Sequence, residues 1–509
     1  MRQTEPEADT PDLDKQLNLF DTVNIIVGIV IGTTIFALPW LIFLNTPNVW
    51  MALAVWVLGG VLALIGGLCY AELASTYPRA GGDYYYLTAA FGRWVGFLFG
   101  WAQLIVILPA SIGVMAYVFA TESTQLHRMD DFLKLGLSSE FYYAAIAVLG
   151  ITFLNLIGVV FGKTVQNVLA LAKVAGLLAI LACGFMHAQP EATDWTFPEW
   201  GGGGWGWQSL ALILVLYAYG GWNDAAFVAA EVRDPQRNIP RALIFGIGSI
   251  TLIYLLVNFA YILGLGFGEA KAFGPPDFRT PPTKLLLAVM GENGAKMMRI
   301  IIMISALGAV NGLIFAGSRV YAVLGNDHRL FGFVGHWRPN RGSPILALIF
   351  QAAITLALVL LFGTERGHTA INHGLDALNN VFATLAEKFD ATAPHIEYST
   401  QWKPGDAFEA LVSHSAPAFW IFFMLAGFSL FALREKNPGK ARPFSVPWYP
   451  LLPFIFCNMC AYMLYQSIDY IGWRSLFVVA LLLLGVPLYW LSQAFGGRRD
   501  TDIDYGGNR

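Results

Sequence analysis

Two stretches set residues that weaken helices inside long apolar runs: Gly28-Ile29-Val30-Ile31-Gly32-Thr33-Thr34-Ile35-Phe36 and Tyr217-Ala218-Tyr219-Gly220-Gly221-Trp222-Asn223-Asp224. Glycine costs helix stability, and a β-branched run with two threonines adds little to it. An unwound turn exposes the N–H groups of one half-helix and the carbonyls of the other. The N–H end suits a carboxylate and the free carbonyls suit an ammonium, so a pair of such breaks is a receptor for a zwitterion. Taken alone, Gly28-x-x-x-Gly32 also reads as a helix-packing face, and Tyr217 as a core aromatic. The pairing of the two stretches favours the break.

Five ionisable residues stand out besides these breaks. Lys173 lies in an apolar run between Val168 and Phe185. A central lysine costs roughly 2.5–3.5 kcal/mol on insertion scales, so it is expected to face the protein interior with partners. It either bridges carbonyls permanently or takes part in coupling. Asp224 either faces the substrate, where it would favour cationic amines, or points into a water-filled cavity. Glu72, Glu231 and Arg241 are expected at helix ends, as gate ion pairs or as ordinary helix-end charges.

The chain that must position them has 509 residues, 56% hydrophobic and 13% charged, with a mean hydropathy of +0.56. Soluble domains carry about a quarter charged residues, so this composition indicates a membrane protein. Asn24–Leu53, Phe97–Ala120 and Leu348–Phe362 contain no charge. In hydrocarbon every backbone polar group needs an internal partner, so such runs are expected to be spanning helices. The apolar pattern predicts twelve of them, at 17–44, 51–77, 87–120, 141–160, 165–187, 207–231, 242–266, 297–325, 344–363, 415–433, 449–469 and 474–496.

The breaks fall at similar depths in the first and sixth spans, as expected if spans 1–5 (17–187) and 6–10 (207–434) are inverted repeats. Two further helices (449–496) and tails at 1–16 and 497–509 complete the organisation. With the N-terminus inside, the inner segments hold nearly twice as many Lys and Arg as the outer ones, with Arg233, Arg237 and Arg241 in one inner loop and Arg434, Lys436, Lys440 and Arg442 in another. This bias places both termini in the cytoplasm. The polar start lacks a basic n-region, so no cleaved leader is expected.

Two outer connections are long. Ala188–Trp207 contains Gly201–Gly204 between Trp200 and Trp205, a flexible link. Within the insert at 364–414, Leu378, Val381, Phe382, Leu385 and Phe389 repeat at helical spacing, predicting an amphipathic surface helix. His368, His373, His395 and His414 of this insert are expected to be solvated rather than metal-bound. Cys69, Cys183, Cys457 and Cys460 all lie in predicted spans, and Cys457-x-x-Cys460 is expected to pack rather than bind metal.

Other function classes find little support. The net charge of −3 gives no basis for a nucleic-acid partner. Gly158 to Gly162-Lys163-Thr164 is one residue short of a phosphate loop, and neither His-Glu-x-x-His nor Gly-x-Ser-x-Gly occurs. No repeated pore loop or charged ring is visible. No enzyme activity, cofactor or metal is expected.

Five motifs in order give the chain a resemblance to a known family. They are Gly28–Phe36, Tyr70-Ala71-Glu72-Leu73, Pro78-Arg79-Ala80-Gly81-Gly82-Asp83-Tyr84, Tyr217–Asn223 followed by Ala230-Glu231-Val232-Arg233-Asp234-Pro235, and Asn311 to Ser318-Arg319. Over most of its length the chain resembles the amino acid–polyamine–organocation superfamily, within it the L-type amino-acid transporter branch. The resemblance implies a LeuT-like core of five plus five inverted helices with two more at the C-terminus, in a cell membrane.

It further implies that N–H groups around Gly32, Thr33 and Thr34 hold the substrate carboxylate. Carbonyls near Val30, Ile31, Tyr217 and Gly220 would take its amino group, with Gly221 completing the break. Tyr217 matches the aromatic lid, and Trp222 and Asn223 would line the route and side-chain pocket. The Lys173 ammonium would replace the sodium ion of related transporters, giving sodium-independent exchange or proton-coupled symport by alternating access. A polyamine transporter of the same fold and a non-transporting amino-acid sensor are the alternatives. Two departures matter: Thr34 replaces a usual glycine, adding bulk that favours smaller substrates. The loop Thr121–Glu140 lacks the cysteine that animal members use to join an ancillary glycoprotein, so no disulfide-linked partner is expected.

Overall fold

The structure is a computed structural model that describes residues 17–129, 137–198, 209–272, 280–336, 344–388, 406–472 and 475–494. Among them the regular elements are helical. The first five are α1 (Leu19–Val30), α2 (Thr34–Ala37), α3 (Pro39–Leu44), α4 (Val49–Thr76) and α5 (Asp83–Phe91). A continuous run follows from α6 (Arg93–Ala102) through a π turn to α7 (Leu108–Leu126), then α8 (Ser139–Ile157), α9 (Val159–Met186) and α10 (Ser209–Ala218). A 3₁₀ segment (Trp222–Glu231) leads to α11 (Pro235–Leu265), the short α12 (Phe267–Lys271) and α13 (Pro281–Met290), and the long α14 (Glu292–Asp327). The remainder is α15 (Ile345–Gly363), α16 (Glu365–Lys388), α17 (Asp406–Lys436), α18 (Leu451–Ile471), α19 (Ser475–Leu483) and α20 (Gly485–Ala494).

Ten helical stretches among the described residues are long and apolar enough to cross a membrane. The first and last of the twelve predicted spans are instead divided into shorter helices, α1 to α3 and α19 to α20. By length and composition these stretches match the multi-pass helical membrane protein expected from the sequence.

Local chemistry explains the element ends. Asn18 and Asp21 form a reciprocal capping box at the start of α1, with bonds of 2.8 and 3.0 Å, satisfying N–H groups that have no intrahelical partner. Asn48 caps α4 through Met51 N at 2.9 Å. The predicted third span is interrupted at Gly92, whose φ of 99° separates α5 from α6. The seventh begins earlier than predicted, so Arg237 and Arg241 lie on α11 rather than in a loop.

Small residues let the central helices approach closely. A Cβ on Gly60 of α4 would collide with Thr251 of α11, and one on Gly67 with Ile247. Lipid tails offer no hydrophobic gain between helices, so this close packing holds the bundle together. All four cysteines are buried and unbonded, and Cys457 packs beside Gly427.

The insert departs from expectation at one histidine. His368 is buried rather than solvated, whereas His373 is exposed. No cluster of potential metal ligands occurs among the described residues. Helix α16 covers the predicted amphipathic segment as far as Lys388. The side chains of Leu378, Val381, Phe382 and Leu385, together with Phe389, His395 and Gly201–Gly204, lie outside the described residues.

Candidate functional site

The first break is shorter than the motif that predicts it. Helix α1 runs through Gly28 to Val30, and only 31–33 leave the helix. Ile31 has φ −72° and ψ 72°, and Gly32 N bonds back to Val30 O at 2.6 Å. These are the angles and bond of an inverse γ-turn. The two glycines therefore have different jobs. Gly28 is a packing point, where a Cβ would run into Gln166 of α9, while Gly32 occupies the turn facing Met115. After the turn, α2 and α3 run on through Leu38, which is itself right-handed helical, with Leu38 N bonded to Thr34 O at 2.9 Å.

In the second break α10 ends at Ala218 and the chain turns through Tyr219–Gly221. Gly221 has φ +101°, a left-handed conformation that favours glycine. Its missing side chain also matters, because a Cβ would lie 2.7 Å from Ile29 Cγ2. The continuation to Glu231 is 3₁₀ rather than α-helical, and Asp224 N bonds to Gly221 O at 3.3 Å.

One hydroxyl ties the two breaks together. Tyr254 OH of α11 lies 3.0 Å from Val30 O and 3.1 Å from Ala218 O, so it bridges the carbonyl ends of α1 and α10. Ser305 Oγ of α14 is within reach of Ile31 O at 3.1 Å and Gly32 O at 2.8 Å. Lys173 is fully buried in α9 and its Nζ donates to Gly28 O at 2.8 Å. Carbonyls at a helix end lack intrahelical partners, and three neighbouring helices supply donors to them here. Of the carbonyls expected for a substrate ammonium, Val30 O accepts from both Gly32 N and Tyr254 OH, whereas Ile31 O accepts from Ser305 Oγ and keeps a second lone-pair direction.

The breaks border a cavity of about 140 Å³. Val30, Gly32, Thr34, Tyr217, Gly220, Gly221 and Asp224 line it, together with Gln103, Met115, Phe419 and Trp420. Other predicted site residues stand behind this surface. Ile31 is fully buried, and Thr33 Oγ1 faces Met115 Sδ at 3.8 Å. The Trp222 ring packs among Tyr70, Phe423 and Phe456, with centroids at 5.1, 5.2 and 6.3 Å. Asn223 Nδ2 donates to Asp224 Oδ1 at 3.1 Å, so Asn223 orients the carboxylate.

The bundle end where α1 starts is closed by ion pairs. Leu17 N bonds to Glu231 O at 3.0 Å, bringing the start of the first span to the end of the sixth. There Arg319 grips both Glu231 oxygens, at 2.8 and 3.1 Å, with both side chains buried. Arg434 Nε reaches Glu72 Oε1 at 2.7 Å, and Lys163 Nζ reaches Asp21 at 3.3 Å. Arg241, the third expected helix-end charge, is exposed. The cavity extends the other way, bordered by Val412 and Ser415 near the start of α17, whereas Arg434 lies near that helix's end.

Tyr254, Ser305 and Gln103 were not legible as site residues. Each is a lone polar residue in an apolar run, with no spacing that separates it from ordinary helix content.

Comparison with known proteins places this geometry in a family. Residues 17–486 match the family model described as amino acid permease. The chain is 26% identical over 488 residues to the serine/threonine exchanger SteT of Bacillus subtilis, covering 94% of this chain and 97% of that protein. It is 28% identical over 502 residues to the b(0,+)-type amino acid transporter 1 of Mus musculus, covering 95% and 89%. With the human large neutral amino acids transporter small subunit 2 it shares 28% over 500 residues, covering 94% and 80%. With its paired helix breaks around one cavity and a family match over nearly its whole length, the chain belongs to the amino acid permease family.

Proposed function

We propose that this protein is a sodium-independent amino-acid transporter working by alternating access, as an exchanger or a proton-coupled symporter. The observation that carries this reading is the Tyr254 bridge, which sets the carbonyl ends of α1 and α10 beside one cavity. Substrate carboxylate binds N–H groups at Thr33 and Thr34, and at Gly32 when its bond to Val30 O opens; the ammonium binds carbonyls at Ile31, Tyr217 and Gly220 and the Val30 oxygen so released. Paired interrupted helices at the midplane are the usual build of such a site. The relatives, one an exchanger by name and two amino-acid transporters, support the substrate class.

The Lys173 ammonium occupies the coupling position and replaces a sodium ion, held as it is on Gly28 O. Closure of the Leu17 end by Arg319–Glu231 and Arg434–Glu72, with the cavity on the far side, corresponds to an outward-open conformation. In this reading the spans number twelve, as two inverted sets of five (17–187 and 207–434) and a final pair (449–496), in a cell membrane with both termini cytoplasmic. The chain works without a disulfide-linked ancillary subunit. Tyr217 acts as lid, and Thr34 adds bulk beside the carboxylate cradle.

Uptake by proteoliposomes of a labelled amino-acid and polyamine panel tests the reading, with preloaded amino acid, with an imposed pH gradient, and with or without sodium. Uptake is expected to need preloading or the pH gradient and to be equal without sodium. Strict sodium dependence would overturn the role of Lys173; absence of uptake for every amine solute would overturn the transporter.

A further inference from the structure

Among the described residues the cavity wall includes one acidic side chain, Asp224, and no Lys, Arg or His. Asp224 is 7% exposed, and its carboxylate takes a hydrogen bond from Asn223 Nδ2, a neutral partner. A carboxylate removed from water is costly unless a cation pairs with it. The cavity wall and the residues behind it hold further acceptors. Gln103, 3% exposed and on the same wall, has its Oε1 buried without a hydrogen-bond partner. The side-chain oxygen of Asn223 is likewise unpartnered. Asp83, at the start of α5, accepts from Tyr70 OH at 3.0 Å through one carboxylate oxygen, while the other is buried and unpartnered.

Unsatisfied acceptors in the interior each cost free energy, and Gln103, which carries one, lines the cavity itself, as Asp224 does. A donor-rich cation in the cavity would pair with the Asp224 carboxylate and meet the Gln103 side chain. The ends of a zwitterionic substrate are already provided for by the two breaks, with N–H groups at Gly32–Thr34 and carbonyls at α1 and α10. A second positive charge at the far end of the same substrate is the group that Asp224 lacks. One 3₁₀ turn separates Asp224 from Gly221, so the carboxylate follows directly from the break along the chain.

We infer that Asp224, with the unpartnered oxygen of Gln103, forms a subsite for the distal ammonium or guanidinium of an amino acid with a cationic side chain. This inference rests on the proposed transport function and narrows its substrate class. Guanidinium presents five donors and no acceptor, matching a wall that offers oxygen acceptors and a negative charge. Asn223 positions the carboxylate and does not itself line the cavity.

The test compares labelled arginine with labelled citrulline, which has nearly the same length and shape but no side-chain charge, in proteoliposomes of the full chain. Wild-type protein is expected to favour arginine about 10- to 100-fold, the range for a charge-assisted bond over a neutral one. In Asp224→Asn that ratio should fall towards one, and in Asp224→Glu it should remain well above one. Competition against wild-type uptake by the two unlabelled compounds gives the same ratio without any variant. Equal wild-type uptake of the two would overturn the subsite. So would equal loss of both in a folded Asp224→Asn protein, which would assign the carboxylate to the α-ammonium. Citrulline uptake that depends on potassium, sodium or pH only while Asp224 is present would overturn it in favour of an inorganic cation or a proton. Failure of every amino acid to enter would instead sink the transport function itself.

Discussion

Lys173→Ala is expected to lower transport about 100-fold or more in protein that still inserts and folds. The Nζ sits 2.8 Å from Gly28 O, and a Cβ on Gly308 of α14 would approach it to 3.3 Å. The ammonium is thus wedged between α1 and α14, one turn from where Ser305 holds the Ile31 and Gly32 carbonyls. Removing it leaves the Gly28 carbonyl without its charged donor, a loss of about 1–3 kcal/mol or more. Since each 1.36 kcal/mol on a barrier is tenfold in rate, a penalty of this size at the moving element accounts for a 100-fold effect. Lys173→Arg is expected to fail as well, because a planar guanidinium is not interchangeable with a compact ammonium in a tight space. Initial uptake rates per unit of folded protein, normalised by size-exclusion profile, check the prediction. Normal transport in Lys173→Ala would deny the residue a coupling role.

Arg319→Ala is expected to destabilise the protein by about 3–5 kcal/mol, because it strands a buried carboxylate. Glu231 holds both of its oxygens on Arg319, the two side chains are nearly inaccessible, and the guanidinium carbon lies 3.8 Å from the Phe315 ring centroid. The double change Arg319→Met with Glu231→Gln should recover much of that loss, since neutral groups of similar volume leave no uncompensated charge. Thermal melting in detergent, followed by loss of the monodisperse peak, separates the cases. A single variant that melts no lower than the double one would show that the pair carries no such load.

The two breaks were legible in the sequence because adjacent glycines and a β-branched, threonine-bearing run contradict their apolar surroundings. Their exact form was not. Gly28 stays helical because its role is to admit Gln166, a contact between residues far apart in the chain. The partner of Glu231 was also hidden. Arg319 is 88 residues away, and nothing local to either side chain specifies the other. Trp222 was expected on the substrate route, but a large ring gains more from packing with Tyr70, Phe423 and Phe456 than from lining a cavity. Lys173 was placed correctly in the interior by cost alone, since hydrocarbon leaves a central lysine few other options. The span pattern followed hydropathy closely, except where the first break, Gly92 and the join between α19 and α20 divide runs that composition alone reads as continuous.

Whether the breaks at Ile31–Thr33 and Tyr219–Gly221 jointly grip a zwitterion is tested most directly with substrate analogues that each lack one charged end. For the best substrate of the panel, proteoliposome uptake is compared with that of its methyl ester, which loses the carboxylate, and its α-hydroxy acid, which loses the ammonium. Both analogues are expected to enter at least about 100-fold more slowly, since each leaves one set of backbone groups unpaired. Uptake of either analogue at the rate of the parent amino acid would contradict the two-break site.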